Sequence, residues 1–253
     1  MTMPWFEADW PAPLGVRALS TLRGEGGGGD ARSGVSKAPY GGFNLGDHVG
    51  DDPAAVAQNR RRLVAAAGLP SEPRWLSQVH GIGVVDLDSS VAPGPADAAI
   101  ARGPAKVCAI LTADCLPILF ATNSGDAVAA AHAGWRGLAA GVIEATVLAM
   151  GVPSASLLAW LGPAIGPKHF EVGPEVRDAF LAGDARAGEA FEVNSRGRFM
   201  ADLVMLARQR LQGIGVSRVY GGGECTFTQA ERYFSHRRDG ITGRQATLIW
   251  REE

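Results

Sequence analysis

The pattern of apolar and polar positions divides the chain into strand-like and helix-like stretches. Short apolar runs predict strands at 74–79 (RWLSQV), 83–87 (GVVDL), 106–112 (KVCAILT), 117–122 (PILFAT), 127–132 (AVAAAH), 157–162 (LLAWLG) and 245–250 (QATLIW). A helix is predicted within DPAAVAQNRRRLVAAAG (52–68), where Asp51 or Asp52 caps, Pro53 suits the first turn, and Gly68 with Pro70 closes. Its apolar stripe is Val56, Leu63, Val64 and Ala67. Arg60 falls on that stripe, so its guanidinium needs a partner, an anionic ligand, or a route along the stripe's edge to solvent. Residues 137–150 (GLAAGVIEATVLAM) are apolar almost all round and predict a buried helix. Two more helices are expected at 174–182 and 201–212, stopped by Gly183 and Gly213. Strands and helices do not alternate strictly, which points to an α+β fold with mixed sheets.

No internal repeat and no Pro/Ser-rich linker interrupts the pattern, so 1–253 reads as one domain. The single low-complexity stretch, RGEGGGGDARSG (23–34), reads as a flexible surface loop near 24–34. Composition then narrows the class. Apolar residues make up 46% of the chain and the net charge is −2, with no basic tract beyond Arg60–Arg62, which argues against a nucleic-acid partner. No run approaches the roughly 20 apolar residues of a membrane span. The N-terminus has no basic segment ahead of an apolar run, and three cysteines are too few and too odd for a disulfide framework. A cytoplasmic protein is the expectation.

Three reactive side chains stand at the ends of predicted strands. They are His80 in QVHG, Cys115 in TADCLP and His132 in AAHAGWRG. One thiolate and two imidazoles suit a zinc ion with its fourth position open. The intervals of 35 and 17 residues match no compact finger pattern, so the fold must bring the three together. Taken singly, each has an ordinary reading: a buried cysteine is commonly inert, and a histidine beside glycine is commonly a turn residue. Arg136, at the start of the apolar helix, adds a guanidinium beside free helix-terminal amides, a pairing that favours an anion. Asp114, next to Cys115, is placed either to orient a ligand or as a simple turn carboxylate. The segment GGGECT (221–226) reads more readily as a Gly-rich turn than as a ligand cradle.

Taken together, GGFNLGDHVGDD (41–52), NRRRL (59–63), QVHG (78–81), TADCLPILF (112–120), AAHAGWRG (130–137), GPAIGPKHFEVGPEV (162–176), CTF (225–227) and FSHRRDGITGRQATLIW (234–250) resemble the laccase-domain family, also called multicopper polyphenol oxidases. Its members are described as zinc-dependent purine nucleoside phosphorylases, and some as peptidoglycan editing factors. The resemblance implies a layered α/β sandwich with mixed sheets, similar to cysteine-dependent toxin deamidases. It implies metal ligands at His80, Cys115 and His132, and phosphorolysis of adenosine, inosine and related nucleosides, with adenosine deamination as a companion activity. Arg136, Arg60 and Asn44 are the expected substrate contacts. Two positions depart from the family pattern: glycine-rich residues separate Arg23 from Val35, and Ala38 stands where glycine is usual.

Three other readings remain open at this stage. Copper-dependent phenol oxidation conflicts with the histidine count, because His48, His80, His132, His169 and His236 are too few for a blue-copper site plus a three-copper cluster. A single copper in place of zinc is still chemically reasonable. A metal-free cysteine hydrolase acting on an amide such as a cell-wall precursor would use Cys115 as nucleophile and His132 as base. A binding module with a structural metal is disfavoured by three ligands rather than four.

Overall fold

Strands buried on both faces lose the alternation of a half-exposed sheet and become continuously apolar. Four of the longer segments that do so are β5 (Val107–Thr112), β6 (Leu116–Thr122), β7 (Val128–Ala133) and β8 (Leu157–Leu161), each buried at every residue. The computed structural model, which describes residues 4–24, 34–90 and 94–252, shows why. The four strands lie in two sheets stacked face to face, each covered on its outer side by helices.

The first sheet runs β1 (Trp5–Glu7), β2 (Val16–Thr21), β13 (Gln245–Arg251), β5, all antiparallel. The second is mixed. Its order is β12 (Arg218–Gly221), β8, β6, β7, β4 (Ala98–Ala101), β3 (Val84–Asp86), with the two outer pairs parallel. Cys108, Ile110 and Ile249 of the first sheet meet Leu119, Val128, Ala130 and Trp160 of the second in the inter-sheet core. On the far side of the first sheet, Leu63 of α1 (Pro53–Ala67) packs on Leu19, Ala109 and Leu248. On the far side of the second, Leu138 of α2 (Trp135–Ala140), Ile143 and Val147 of α3 (Val142–Met150) and Leu206 of α5 (Leu203–Gly213) pack on Ile118, Ala129 and Ala131. The result is the layered helix–sheet–sheet–helix sandwich expected of an α+β fold with mixed sheets. A small sheet of β9 (Glu171–Val172), β10 (Phe191–Val193) and β11 (Phe199–Ala201), with α4 (Pro174–Leu181), extends one end, and α6 (His236–Asp239) precedes β13.

The boundaries differ from expectation at three places, each for a local reason. Residues 74–79 are extended but do not join a ladder. Apart from a single bridge between Arg74 and Cys108, the side-chain amide of Gln78 stands in for a peptide group, donating to the Leu111 carbonyl at 2.8 Å and accepting the Leu111 N–H at 2.8 Å. The expected helix over 137–150 is two helices. Gly141, at φ +103°, closes α2 with bonds to Gly137 and Leu138 and then opens α3 on a new axis, a backbone state open to glycine. The helix expected from 201 starts at Leu203, because Asp202 caps it by accepting from Met205 N–H, and 199–201 pair as β11. Of the two candidate caps of α1, Asp52 is the one used; Asp51 instead accepts from the Ser36 hydroxyl and the Asn44 amide. Residues 25–33 of the glycine-rich segment lie outside the described residues. No helix among the described residues is long and apolar enough to cross a membrane.

Candidate metal centre

β5 leaves the inter-sheet core at Thr112 and must reverse into β6 within three residues. Asp114 takes the strained position, at φ +96°. Its carboxylate accepts from the Thr226 hydroxyl at 2.6 Å and the Arg237 N–H at 2.7 Å, and its carbonyl accepts from Ile165 N–H at 2.9 Å. These bonds hold the turn and deliver Cys115 just ahead of β6. β7 runs antiparallel to β6, with His132 opposite Pro117 and Ala133 opposite Leu116. His132 shares the face of Val128 and Ala130, so its ring points between the sheets, at the edge where Cys115 emerges. His80 comes from the extended 74–80 segment and is itself in the left-handed region, at φ +60°.

The metal-ligating atoms of His80, Cys115 and His132 all lie within 4.8 Å of one another. Cys115 Sγ is 3.7 Å from His80 Nε2, and the two imidazole rings meet edge to face with centroids 4.7 Å apart. Metal–nitrogen and metal–sulfur bonds of ordinary zinc length subtend about 3.6 Å at a tetrahedral angle. The cluster therefore fits one ion with little movement. The small residues that follow His132 make this approach possible. A Cβ on Gly134 would stand 2.8 Å from His80 Cδ2 and 2.9 Å from Cys115 Sγ, and one on Gly137 would stand 2.8 Å from the Gly81 carbonyl. Burial grades across the cluster from the covered His132 through half-buried Cys115 to exposed His80, so the His80 side is the open one.

One residue that the sequence reading missed organises the centre. Asp97 is fully buried. Its Oδ1 accepts from His132 Nδ1 at 2.8 Å and from His80 N–H at 2.8 Å, while Oδ2 accepts from Gly81 N–H at 2.7 Å and Val79 N–H at 3.2 Å. The carboxylate fixes the tautomer of His132 and turns Nε2 toward Cys115. It also holds the strained backbone of His80. Burial alone raises the Asp97 pKa, but His132 and the Gly81 amide more than offset this and leave it below the usual carboxylate range. Cys115 and His132 move in opposite directions by the same kind of balance. Burial raises the thiol, yet His132 and His80 bring it well below its ordinary value; burial lowers His132, yet Cys115 and Asp97 raise it. The only sequence signal for Asp97 was a lone acid in the apolar run ADAAIA (96–101), where a carboxylate needs a partner if the run is buried; it does not say which partner.

The other expected residues are distributed around this centre. Arg136 is exposed, lies over the ring of Trp135 at 4.5 Å, and has no hydrogen-bond or ion-pair partner among the described residues. Arg60 donates to the Leu45 carbonyl from Nε and Nη2 at 3.0 and 2.8 Å, approaches Asp47 at 3.3 Å, and covers the Trp75 ring at 4.4 Å. Asn44 is buried; it donates to the Gly46 carbonyl and Asp51 and accepts from the N–H groups of Gly46 and Arg244. Among the described residues, His80, Cys115 and His132 are the one group of three or more candidate ligands. His169 stacks on Phe227, and His236 bonds the Gly240 carbonyl.

The architecture is shared with known proteins. Residues 29–252 match the family described as multi-copper polyphenol oxidoreductase laccase. A protein of Pseudomonas aeruginosa named as a purine nucleoside phosphorylase is 54% identical over 98% of this chain and 99% of its own length. The purine nucleoside phosphorylase YfiH of Escherichia coli is 52% identical over 95% and 96%. Among solved structures, a Neisseria meningitidis protein superposes with a TM-score of 0.91 at 47% identity, covering 99% of this chain and all of the other. YlmD of Geobacillus stearothermophilus superposes with a TM-score of 0.87 at 30% identity. By sequence along nearly its whole length and by fold, this chain belongs to the laccase-domain family.

Proposed function

We propose that the chain is a zinc-dependent purine nucleoside phosphorylase of the cytoplasm, converting adenosine, inosine and related nucleosides with phosphate to free base and ribose 1-phosphate. The observation that carries this reading is the His80–Cys115–His132 cluster. It offers three ligands of zinc type within 4.8 Å, has one open side, and has its buried imidazole oriented by Asp97. Relatives of essentially full length bear the phosphorylase name. When bound, such an ion supplies Lewis-acid polarisation. Copper at the same ligands is chemically compatible, but the described residues offer no second cluster for a multicopper enzyme.

In phosphorolysis a phosphate oxygen forms a bond to ribose C1′ as the bond from C1′ to the purine nitrogen breaks; the purine departs with the electron pair and takes up a proton. The chain's own residues have three tasks. Exposed Val79 and Ile82 flank His80 and give the mouth an apolar surface for a base. Asp97 holds the ligand-bearing backbone at 79–81 in place. Arg136, without a hydrogen-bond or ion-pair partner among the described residues, presents its guanidinium near the start of α2, whose N-terminal end abuts His80 and Cys115, and serves phosphate at the rim. Arg60, with Nε and Nη2 already engaged, and Asn44, fully bonded, contribute by holding the 44–47 loop at the mouth.

A second reading is favoured by one observation. Cys115, His132 and Asp97 have the order of a thiol, an imidazole and an orienting carboxylate, the arrangement of a cysteine hydrolase acting on an amide, as in a cell-wall precursor. One experiment separates the two. Purified protein is incubated with inosine or adenosine, with and without phosphate, before and after a strong chelator, and base, ribose 1-phosphate and ammonia are measured. The phosphorylase reading expects base and ribose 1-phosphate in equal amounts, only with phosphate, lost on chelation and restored by zinc. Base release that is indifferent to phosphate, or full activity without metal, overturns it. Phosphate-independent ammonia from adenosine indicates metal-assisted deamination instead.

A further inference from the structure

We propose that Arg244 is the inner anion-binding residue of the site, the guanidinium that receives phosphate on the Cys115 side of the cluster; phosphate as the anion rests on the phosphorylase reading. The sheet register brings Arg244 there. β13 begins at Gln245, directly opposite Thr112, the last residue of β5. Because the strands are antiparallel, the residue before Gln245 lies beside the turn that carries Asp114 and Cys115.

The backbone of Arg244 is clamped on both sides by the 44–46 loop. Its N–H donates to Asn44 Oδ1 at 2.8 Å, and its carbonyl accepts from Leu45 N–H at 3.1 Å. Its side chain crosses Gly46 so closely that a Cβ there would stand 2.7 Å from Arg244 Cγ. Nη1 donates to the carbonyls of Thr242 at 3.1 Å and Gly243 at 2.9 Å. Nε and Nη2 have no partner, and no carboxylate lies within ion-pair distance, among the described residues. The residue is half-buried. A guanidinium in such a place is costly to keep without an anion, and it is permanently charged.

Burial lowers the Arg244 pKa, and Cys115 and Asp114, at the turn beside it, act on its charge in the opposite sense. His48 is a third titratable neighbour, held below its ordinary value by burial and then by the Arg244 charge. Asp114 has both oxygens engaged, by the Thr226 hydroxyl and the Arg237 N–H. The other two arginines expected at the substrate differ in kind. Arg60 has Asp47 and Leu45, and Arg136 is exposed at the rim. Arg244 alone of the three combines burial, unpartnered donors and the neighbourhood of a metal ligand. Its unpartnered Nε and Nη2 lie on one edge of the guanidinium, the fork that meets two oxygens of one phosphate.

Arg244→Gln and Arg244→Lys test the assignment alongside a measurement on the unaltered protein. In the wild type, phenylglyoxal modification of arginines is followed by peptide mass spectrometry with and without inorganic phosphate; protection is expected at Arg244. In the variants, phosphate affinity is read by calorimetry, and KM for phosphate and for inosine are measured separately. Arg244→Gln should weaken phosphate about 10- to 100-fold, the range for a hydrogen bond to a charged group. Arg244→Lys should lie between, and the inosine KM, metal content and melting temperature should stay near wild type. A merely structural role would shift both KM values together and lower the melting temperature, and that result overturns the proposal. So does phosphate protection that falls on other arginines only, or a phosphate affinity unchanged in Arg244→Gln. If phosphate binds through Arg244 but no nucleoside is cleaved, the anion site stands and the phosphorylase reading falls. If phosphorolysis is observed and Arg244→Gln leaves the phosphate KM unchanged, the reverse holds.

Discussion

The start of β5 and the turn that leaves it each hold a cysteine, and the two have opposite chemistry. Cys108 sits in the inter-sheet core among Ile110, Leu119 and Ile249, and burial pushes its thiol far up. Cys115, seven residues later, is also pushed up by burial, yet two imidazoles overturn that push and favour the thiolate. Desolvation alone makes a cysteine inert; desolvation beside a fixed cationic or metal partner makes it a ligand. The partner is fixed by Asp97, through His132 and the 79–81 backbone, so the difference between the two cysteines depends on a carboxylate that touches neither sulfur.

The strongest way to break the comparison is to remove the sulfur that has partners. Cys115→Ser should cost the metal and lower phosphorolysis by about a thousandfold or more, read by metal analysis and product formation. Next in size is a labelling contrast: in chelated protein, iodoacetamide should alkylate Cys115 at least about a hundredfold faster than Cys108, which should react only on unfolding. Peptide mapping over time measures this, and equal rates would remove the distinction. Asp97→Asn keeps the shape of the site but takes away the charge that orients His132. Metal affinity should fall about 10- to 100-fold in competition with a coloured chelator. Gly134→Ala sharpens the geometric half of the argument: its methyl would press on both His80 and Cys115, and a roughly tenfold loss of metal affinity is expected. The smallest effect is at the other cysteine. Cys108→Ser places an unpartnered hydroxyl in an apolar core and should cost about 1–3 kcal/mol in urea unfolding, with metal content unchanged.

These contrasts also explain what could be read from the sequence. Cys115 and His132 were legible because each ends an apolar run, and a strand end is a local feature. The mixed α+β class was legible because strands and helices do not alternate strictly; the layered sandwich came only from the family resemblance, and the continuously apolar strands are what its two covered faces require. Asp97 was not, since its worth lies in meeting residues 80 and 132 at once, a meeting made by the pairing of β4 with β7. Arg244 was hidden in the same way: only the β13–β5 register sets it beside Cys115. The strand expected at 74–79 failed because a side-chain amide can replace a ladder without leaving an apolar signature. Gly141 was counted inside a helix because apolar neighbours on both sides masked its left-handed turn. Arg60 did have the partner that its place on the stripe demanded, and the partner was a backbone carbonyl from a loop 15 residues earlier.

The single carboxylate at 97 has a consequence for hydrogen exchange. The amides of Val79, His80 and Gly81 share it as acceptor. Helices and ladders protect their amides through many carbonyls, one acceptor for each donor. These three amides are held by one side chain, so release of that side chain opens all three. Their exchange with deuterium therefore reports one event, the release of Asp97, and any ion held by His80 and His132 slows all three in common. Deuterium uptake at positions 79–81 is a clock for occupancy of the centre, independent of the turnover of any substrate.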